Sequence, residues 1–243
     1  GYAKEPFAPE LEDGKLFGLG SNDDGGSLVA LMATFIHFYE QENLNYNLVF
    51  AATAEEEVSG DNGISSILEK MPNIDCAIVG EPTKMQMAVA EKGLMVLDCT
   101  TNGTSGHAAR DEGKNAIYKA LKDIEWFQSY KFSKESETLG PVRMTVSTIN
   151  AGNKHNVVPD RCEFTVDIRS TDAYTHQQIL QVIEDQISSF VKPRSTRLTP
   201  SSIPADHPIV QAGKEMGLKS FGSPTLSDQA LLAVPSLKMG PGS

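Results

Sequence analysis

The chain has 243 residues, 40% hydrophobic and 22% charged, so it can bury an ordinary globular core as one large domain or two small ones. Its 21 basic and 32 acidic residues give a formal net charge of −11, which disfavours nucleic acid and anionic membrane surfaces as partners. No apolar run approaches the roughly 20 residues of a membrane-spanning helix, and the first residues do not resemble a signal peptide. We therefore expect a soluble cytoplasmic protein that can hold cations.

The first third of the chain alternates predicted helices and buried strands. Apolar residues at helical spacing predict a helix over about 27–41 and a shorter one over 64–71. The runs Leu48–Ala52 and Cys76–Val79 are apolar throughout, as expected of central parallel strands covered on both faces. This order predicts an α/β sheet.

The middle of the chain has a different pattern. In chain order it predicts a strand (94–101), a helix (117–124), two strands with alternating apolar residues (142–148 and 162–168), a helix (179–187) and a short strand (196–198). This is the βαββαβ arrangement of ferredoxin-like domains. The odd number of cysteines, Cys76, Cys99 and Cys162, all in apolar strand-like contexts, indicates buried thiols rather than disulfides or a zinc site.

The α/β pattern resumes after Pro200, with helices predicted over 207–216 and 226–233 and a strand ending at Met239. The middle block is therefore interpreted as an insertion. We predict an α/β domain made of segments 1–92 and 200–243, with an inserted domain at 93–199. The amino-terminal segment is expected to be a loop without a strand, and the α/β domain is expected to be truncated at both ends.

Acidic residues follow the predicted strands or precede a helix at the sheet edge where ligands gather in open α/β folds. Asp23 and Asp24 lie in a glycine-rich turn before the first helix, Glu55 to Glu57 follow the first strand, and Glu81 follows the second. Bare carboxylates at one edge would repel one another, and a bound cation is the simplest way to hold them together.

Each acid also has a simpler interpretation. An aspartate before a helix is usually a cap, and Glu55 fits a surface position. The glycine-rich turn is a poor dinucleotide-binding fingerprint, because Asp23 replaces its third glycine and no apolar strand is predicted to enter the turn. The joint placement of the three acidic groups is what favours a metal site.

The sequence resembles the acetylornithine deacetylase and succinyl-diaminopimelate desuccinylase family of di-metal amidohydrolases, and is most similar to the bacterial acetylornithine deacetylases. The resemblance runs from Asp13 to Ser243 through these segments: 16–23, 53–57, 79–83, 105–109, 114–117, 155–159, 167–169 and 227–228. It implies a metallopeptidase-like catalytic α/β domain interrupted by a ferredoxin-like βαββαβ dimerisation domain, and therefore a homodimer.

The resemblance also implies roles for the acids. Asp23 is similar to the carboxylate that bridges two divalent metal ions, zinc or cobalt, while Glu57 and Glu81 resemble terminal ligands. Glu56 resembles the general base. Such a metal pair lowers the pKa of a bound water towards neutrality, and a carboxylate beside it can take the proton.

Further residues match the family's substrate-binding elements. His107 resembles the histidine that reaches the neighbouring subunit's active site and stabilises the tetrahedral oxyanion. Asn156 and Arg169 resemble residues that hold the substrate's amide and carboxylate. Two histidine ligands of the family are not among the five histidines of this sequence, so we expect the chain as given to bind metal weakly and to be inactive.

The function implied is a metal-dependent amidohydrolase that removes the acyl group from an N-acyl amino acid. N-acetylornithine is the preferred substrate, with arginine biosynthesis as the setting, while succinylated ornithine, citrulline or diaminopimelate stay open. A non-catalytic dimeric ligand-binding protein of the same fold is the alternative from another class.

Overall fold

A computed structural model describes residues 2–110 and 112–242. The chain divides into two compact units: unit 1 comprises residues 2–90, 202–223 and 227–242, and unit 2 comprises 91–201 and 224–226. The predicted domain limits at residues 1 and 243 lie outside the described residues. No helix in the described part of the chain combines the length and the apolar character needed to cross a bilayer.

The strands are β1 (Glu10–Glu12), β2 (Lys15–Phe17), β3 (Ala77–Gly80), β4 (Met87–Glu91), β5 (Gly93–Asn102), β6 (Gly106–His107), β7 (Arg143–Ala151), β8 (Val157–Val158), β9 (Arg161–Ser170), β10 (Phe190–Pro193), β11 (Ser201–Ser202), β12 (Ser220–Ser223) and β13 (Ser236–Met239). The α-helices are α1 (Gly25–Tyr39), α2 (Ser65–Leu68), α3 (Ala116–Ser129), α4 (His176–Gln186) and α5 (Pro208–Glu215), and two 3-10 helices span Glu56–Val58 and Asp228–Leu231.

Unit 1 is built on a mixed sheet with the order β11-β4-β13-β3, and β12 also pairs with β4. Strand β13 is parallel to β3 and antiparallel to β4, so β3 and β13 end at the same edge of the sheet. One small apolar cluster lies on this sheet, formed by buried side chains of β4, β13, α5 and the segment after β11: Met87, Leu237, Val210 and Ile203.

The predicted strand Leu48–Ala52 is wrong, because this segment has no strand pairing in the structure. A strand exists only when a neighbour accepts and donates along its backbone, and β3 pairs with β13 instead. Leu48 and Val49 are exposed, and Phe50 lies near α1, with its ring centroid 5.9 Å from that of Phe35. The apolar composition of this segment is therefore explained by contact with α1 and not by strand pairing in the sheet.

Smaller differences also lie in unit 1. The predicted helix over 226–233 is a 3-10 helix of four residues, and the one over 64–71 is reduced to α2. Strands β4 and β12 were not predicted. The amino-terminal segment is not all loop, because β1 and β2 form an exposed hairpin that leads into the glycine-rich turn. Its two-residue turn is Asp13-Gly14, with positive φ at both positions, and an Asp-Gly pair is the sequence signal for such a hairpin.

Unit 2 has the predicted βαββαβ order. Its antiparallel sheet has the order β10-β5-β9-β7. Inward-facing residues of β5 and β9 alternate with outward-facing ones, and they pack with α3 and α4 into a core that includes Leu97, Phe164, Val166, Phe127 and Ile183. The spacing of apolar residues predicts these strands and helices because each element has one buried face and one exposed face.

The last strand of unit 2 lies earlier than predicted. It is Phe190–Pro193, which pairs with β5, whereas the predicted run at 196–198 contributes one main-chain bond from Leu94 to Leu198. The caps of α3 and α4 are formed by Asn115 and Thr175, and Thr175 forms a capping box with Gln178. All three cysteines are free thiols, with Cys99 and Cys162 buried and Cys76 half-buried.

Candidate functional site

Two glycines allow the start of α1 to approach the ends of β3 and β13. A Cβ atom at Gly80 would lie 3.0 Å from Leu31 Cδ1 and 3.1 Å from Ser27 Cβ. At Gly240, just after β13, a Cβ atom would overlap the Ser27 hydroxyl. Glycine at both positions therefore lets the first turn of α1 lie against this edge of the sheet, where the acidic residues follow.

Asp23 and Asp24 stand directly before α1, and the peptide bond between them is cis. Asp24 occupies the N-cap position, yet its side chain makes no capping hydrogen bond, and its Oδ1 atom is buried with no hydrogen-bond partner among the described residues. Burial raises the pKa of Asp24, the Ser27 hydroxyl opposes this shift, and the charge of Asp23 adds to it. The simple capping interpretation therefore does not account for these aspartates.

The three consecutive glutamates are directed differently. Glu55 has a left-handed backbone and is exposed, and its carboxylate accepts hydrogen bonds of 3.1 Å from the main-chain and side-chain nitrogens of Asn62. Glu56 and Glu57 begin a short 3-10 helix, where Glu56 is half-buried and Glu57 exposed. Glu55 is thus tied to its own loop, as the surface interpretation expected.

Glu56 belongs to an electrostatically coupled group of acids. Burial raises the pKa of Glu56 to about 7, and the charges of Asp228, Glu57 and Asp23 raise it as well, while Lys238 opposes the shift. A carboxyl group with a pKa near 7 is poised to exchange a proton at neutral pH.

Glu81 follows β3 and joins the same group. Burial raises its pKa to about 8, Lys238 opposes this shift, and Glu56 and Asp23 raise the pKa further. We call Asp23, Asp24, Glu56, Glu57, Glu81 and Asp228 the carboxylate cluster. The tertiary structure therefore places the predicted acids of unit 1 within electrostatic range of one another.

Two members of this region were missed as site residues. Asp228 lies at the start of a 3-10 helix, accepts a hydrogen bond of 3.3 Å from the Thr53 hydroxyl, and has its pKa raised by burial. Lys238 lies in β13 and is 2% exposed. A lysine inside an otherwise apolar strand was a readable signal, because lysine is almost never fully buried unless it is paired.

The cluster fits a divalent cation in donor chemistry and in charge. Carboxylate oxygens suit such ions, the mutual repulsion of the acids would be relieved by a cation, and Asp24 Oδ1 is a buried oxygen without a partner among the described residues. No three His, Cys, Asp or Glu side chains in residues 2–110 and 112–242 are grouped tightly enough to form a finished ligand set.

The candidates in unit 2 include a small hairpin that carries His107. Strands β6 and β8 pair His107 with Val157, and the Ala108 amide donates to the Asn156 carbonyl over 3.0 Å. His107 Nδ1 accepts a hydrogen bond of 3.1 Å from the Ala109 amide, so the neutral ring carries its proton on Nε2. The hairpin thus places exposed His107 on β6 close to exposed Asn156, which lies directly before β8, and the His107 ring has an N–H donor on Nε2.

Arg169 lies on β9 rather than on this hairpin. Its Nε and Nη2 atoms donate to the two carboxylate oxygens of Asp167 over 2.8 and 3.1 Å. Two of its five N–H groups are therefore engaged by a neighbour on the same strand. The other histidines have local roles: His207 caps α5, and His176 is buried between Ser170 and Thr196.

Known proteins are similar to this chain in unit 2 and over most of its length. A family described as peptidase dimerisation domain (M20_dimer) matches residues 89–194. A succinyl-diaminopimelate desuccinylase 2 from a Ruegeria species is 29% identical over 190 residues, which cover 74% of this chain and 48% of that protein. A succinyl-diaminopimelate desuccinylase from Wolbachia pipientis is 28% identical over 200 residues, 77% of this chain and 50% of that protein.

The chain is similar to the succinyl-diaminopimelate desuccinylases, and residues 89–194 match the peptidase dimerisation domain family. It spans about half the length of the curated relatives that it matches. The narrower likeness to bacterial acetylornithine deacetylases stays a prediction.

Solved structures also match the chain in fold. A Staphylococcus aureus tripeptidase has a TM-score of 0.74 at 19% identity, covering 96% of this chain and 67% of its own. A Sulfolobus solfataricus M20 family metallo-carboxypeptidase has a TM-score of 0.72 at 15% identity, covering 98% and 72%. These matches confirm the predicted fold class, a metallopeptidase-like α/β domain with an inserted dimerisation domain.

Proposed function

We propose that this chain forms part of a cytoplasmic, metal-dependent amidohydrolase that removes the acyl group from an N-acyl amino acid. The observation that carries the proposal is the carboxylate cluster, in which Glu56 is half-buried beside several other acids and has a pKa of about 7. In this proposal residues 1–92 and 200–243 form the catalytic domain, and residues 93–199 form the dimerisation domain. The acids supply the chemistry, and unit 2 supplies substrate contacts.

Asp23, Glu57 and Glu81 would hold two divalent cations, zinc or cobalt. When bound, such ions polarise the substrate carbonyl and make water acidic enough to attack near neutral pH. Glu56 accepts the proton of the attacking water and delivers it to the leaving amine. A carboxylate beside the bound ions suits both steps, because it gains and loses the same proton in one cycle.

Three residues of unit 2 contact the substrate in this proposal. His107 offers the Nε2–H donor of its neutral ring to the oxyanion that forms at the acyl carbon. Asn156 holds the amide, and Arg169 holds the substrate carboxylate with the N–H groups that Asp167 does not use. A homodimer would bring His107 to the neighbouring subunit, which agrees with the dimerisation-domain match.

Two kinds of acyl substrate are each favoured by a different observation. The resemblance to acetylornithine deacetylases favours N-acetylornithine and a place in arginine biosynthesis. The matched relatives are named succinyl-diaminopimelate desuccinylases, which favours a succinylated diamino acid within amino-acid biosynthesis. Both substrates carry an amide next to a free carboxylate, so the same proposed roles serve either one.

The test is an amine-release assay on the product of the complete gene, loaded with zinc or cobalt. N-acetylornithine and the succinyl derivatives of ornithine, citrulline and diaminopimelate are compared. We expect hydrolysis of at least one, and a fall in kcat of about 10²- to 10⁴-fold for Glu56→Gln. Glu55→Gln is the matched control and should leave kcat unchanged, because Glu55 binds Asn62 instead.

A non-catalytic ligand-binding protein of the same fold is the competing function. It would be favoured if the metal-loaded protein released amine from none of these compounds while still binding one of them in calorimetry. An active enzyme whose kcat is unaffected by Glu56→Gln would retain the family but contradict the proposed base.

A further inference from the structure

Lys238 is a buried lysine at the acidic edge of unit 1. It lies in β13, where it pairs with Val79 in parallel β3 and with Ala88 in antiparallel β4, and it is 2% exposed. Its neighbour Leu237 packs into the apolar cluster with Met87 and Val210. Because successive side chains of a strand point to opposite faces, Lys238 points to the other face of the sheet.

That other face is the one on which α1 and the carboxylate cluster lie. Gly240, two residues after Lys238 and therefore on the same face, would overlap the Ser27 hydroxyl of α1 if it had a side chain. The positive charge of Lys238 acts on both Glu56 and Glu81. A buried ammonium requires compensating negative charge, and this cluster contains it.

We propose that Lys238 is a built-in counter-cation of the carboxylate cluster, which competes with divalent metal for the same carboxylates. The inference deepens the proposed function, because it rests on Asp23 and Glu81 being metal ligands. An ammonium at this position supplies part of the positive charge that a metal pair would otherwise bring. It also repels an incoming dication across a short, water-poor distance, where charges interact more strongly than in bulk water.

Two consequences follow for a chain without metal. The cluster can fold and stay together because one cation is permanently present, attached to β13. Affinity for metal is lower than the number of carboxylates would suggest, because each dication must either displace the ammonium from its partners or bind beside it.

The experiment compares zinc binding of the 243-residue chain with that of Lys238→Met, by equilibrium dialysis in chelator-treated buffer. Methionine keeps the unbranched shape and removes the charge. We expect the zinc Kd of Lys238→Met to be at least about 10-fold lower than that of the unsubstituted chain, because one repulsive charge is gone. Lys92→Met is the matched control: Lys92 is also buried, but it lies in unit 2 and donates to the Pro141 carbonyl.

A second measurement guards against misfolding of the variant. Circular dichroism first checks that the variant is folded, and Lys238→Gln replaces Lys238→Met if it is not. In metal-free buffer, the neutral variant should have a lower Tm than the unsubstituted chain. Zinc should raise its Tm by more than it raises that of the unsubstituted chain or of Lys92→Met, since at a given concentration a tighter ligand stabilises the folded state more.

Asp23→Asn, in the unsubstituted and Lys238→Met backgrounds, separates the two ways of failing. If Lys238→Met binds zinc no more tightly than the unsubstituted chain, but Asp23→Asn weakens binding in both, the counter-cation inference is wrong and the proposed metal site stands. If no zinc binding depends on Asp23 in either background, the proposed metal site itself is wrong, and the inference falls with it.

Discussion

Unit 2 and unit 1 are stabilised in different ways. Among the described residues, the core of unit 2 joins fourteen buried apolar residues from β5, β9, α3, α4 and the loop between α3 and β7, whereas the buried apolar cluster of unit 1 has four. In unit 1, α1 leaves apolar side chains in solvent, with Ile36 at 64% and Tyr39 at 73% exposure, and the buried positions at the sheet edge are polar or charged. The unit with the smaller core thus carries the candidate chemistry, and the unit with the larger core presents His107.

The largest expected effect is on the core of unit 2. Phe164 is buried between β9 and the helices, with its ring centroid 6.1 Å from that of Phe127. Phe164→Ala should lower the free energy of unfolding of unit 2 by about 3–5 kcal/mol, because it leaves a large cavity. Urea unfolding followed by the fluorescence of Trp126, the single tryptophan, reports on this unit. A loss below about 1 kcal/mol would contradict the proposed difference between the two cores.

The second prediction separates function from stability in unit 2. His107→Ala in the metal-loaded product of the complete gene should lower kcat by about 10²- to 10³-fold, the typical cost of one oxyanion donor. Its free energy of unfolding should change by less than about 0.5 kcal/mol, because the side chain is exposed. His155→Ala, in the nearby exposed turn, is the control and should leave kcat unchanged. Equal losses for both variants would argue against a specific role for His107.

The third prediction concerns pH. His176 is 2% exposed, its Nδ1 atom donates to the Thr196 carbonyl over 2.9 Å, and its Nε2 atom accepts from the Ser170 hydroxyl over 2.7 Å. Burial lowers the pKa of His176 below its ordinary value of 6.5. The unfolded chain therefore binds this proton first, so the stabilisation is complete above about pH 6.5 and is lost as pH falls through the folded-state pKa.

The measurement is urea unfolding of the unsubstituted chain and of His176→Gln from pH 7.5 downward, again followed by Trp126. The difference in unfolding free energy between the two proteins should shrink as the pH falls below 6.5. A difference that stays constant over this range would show that His176 has the same pKa in the folded and unfolded chain, which would contradict the prediction.

The smallest effect is expected on the exposed face of α1. Ile36→Ala should change the free energy of unfolding by less than about 0.5 kcal/mol, because Ile36 is largely in solvent and both residues suit a helix. Thermal denaturation of the 243-residue chain measures this, with the half-buried Leu31→Ala as the more sensitive neighbour. A large loss of unfolding free energy in Ile36→Ala would show that this face of α1 is covered in solution. That result would contradict the difference drawn between the two units.

Much of this protein could be predicted from local sequence pattern. In unit 2, each strand and helix buries one face, so alternation in β9 and helical spacing in α3 and α4 survive in the sequence and predict the βαββαβ order. The acids at the sheet edge were also predictable, because polar residues after buried strands are visible without any contact. The caps at Asn115 and Thr175 depend on residues only two or three positions away.

Other features depended on partners distant in the chain. The apolar run Leu48–Ala52 has the composition of a strand, but whether it pairs is decided by β3 and β13, which are separated from each other by more than 150 residues. The coupling of Glu56 to Asp228 and Lys238 likewise requires segments that are far apart in sequence. The local sequence pattern predicts which side chains are buried and which are exposed. Backbone pairing, and the charges that surround a buried acid, depend instead on which distant segments come into contact. Only the tertiary structure could therefore place Lys238 among the carboxylates.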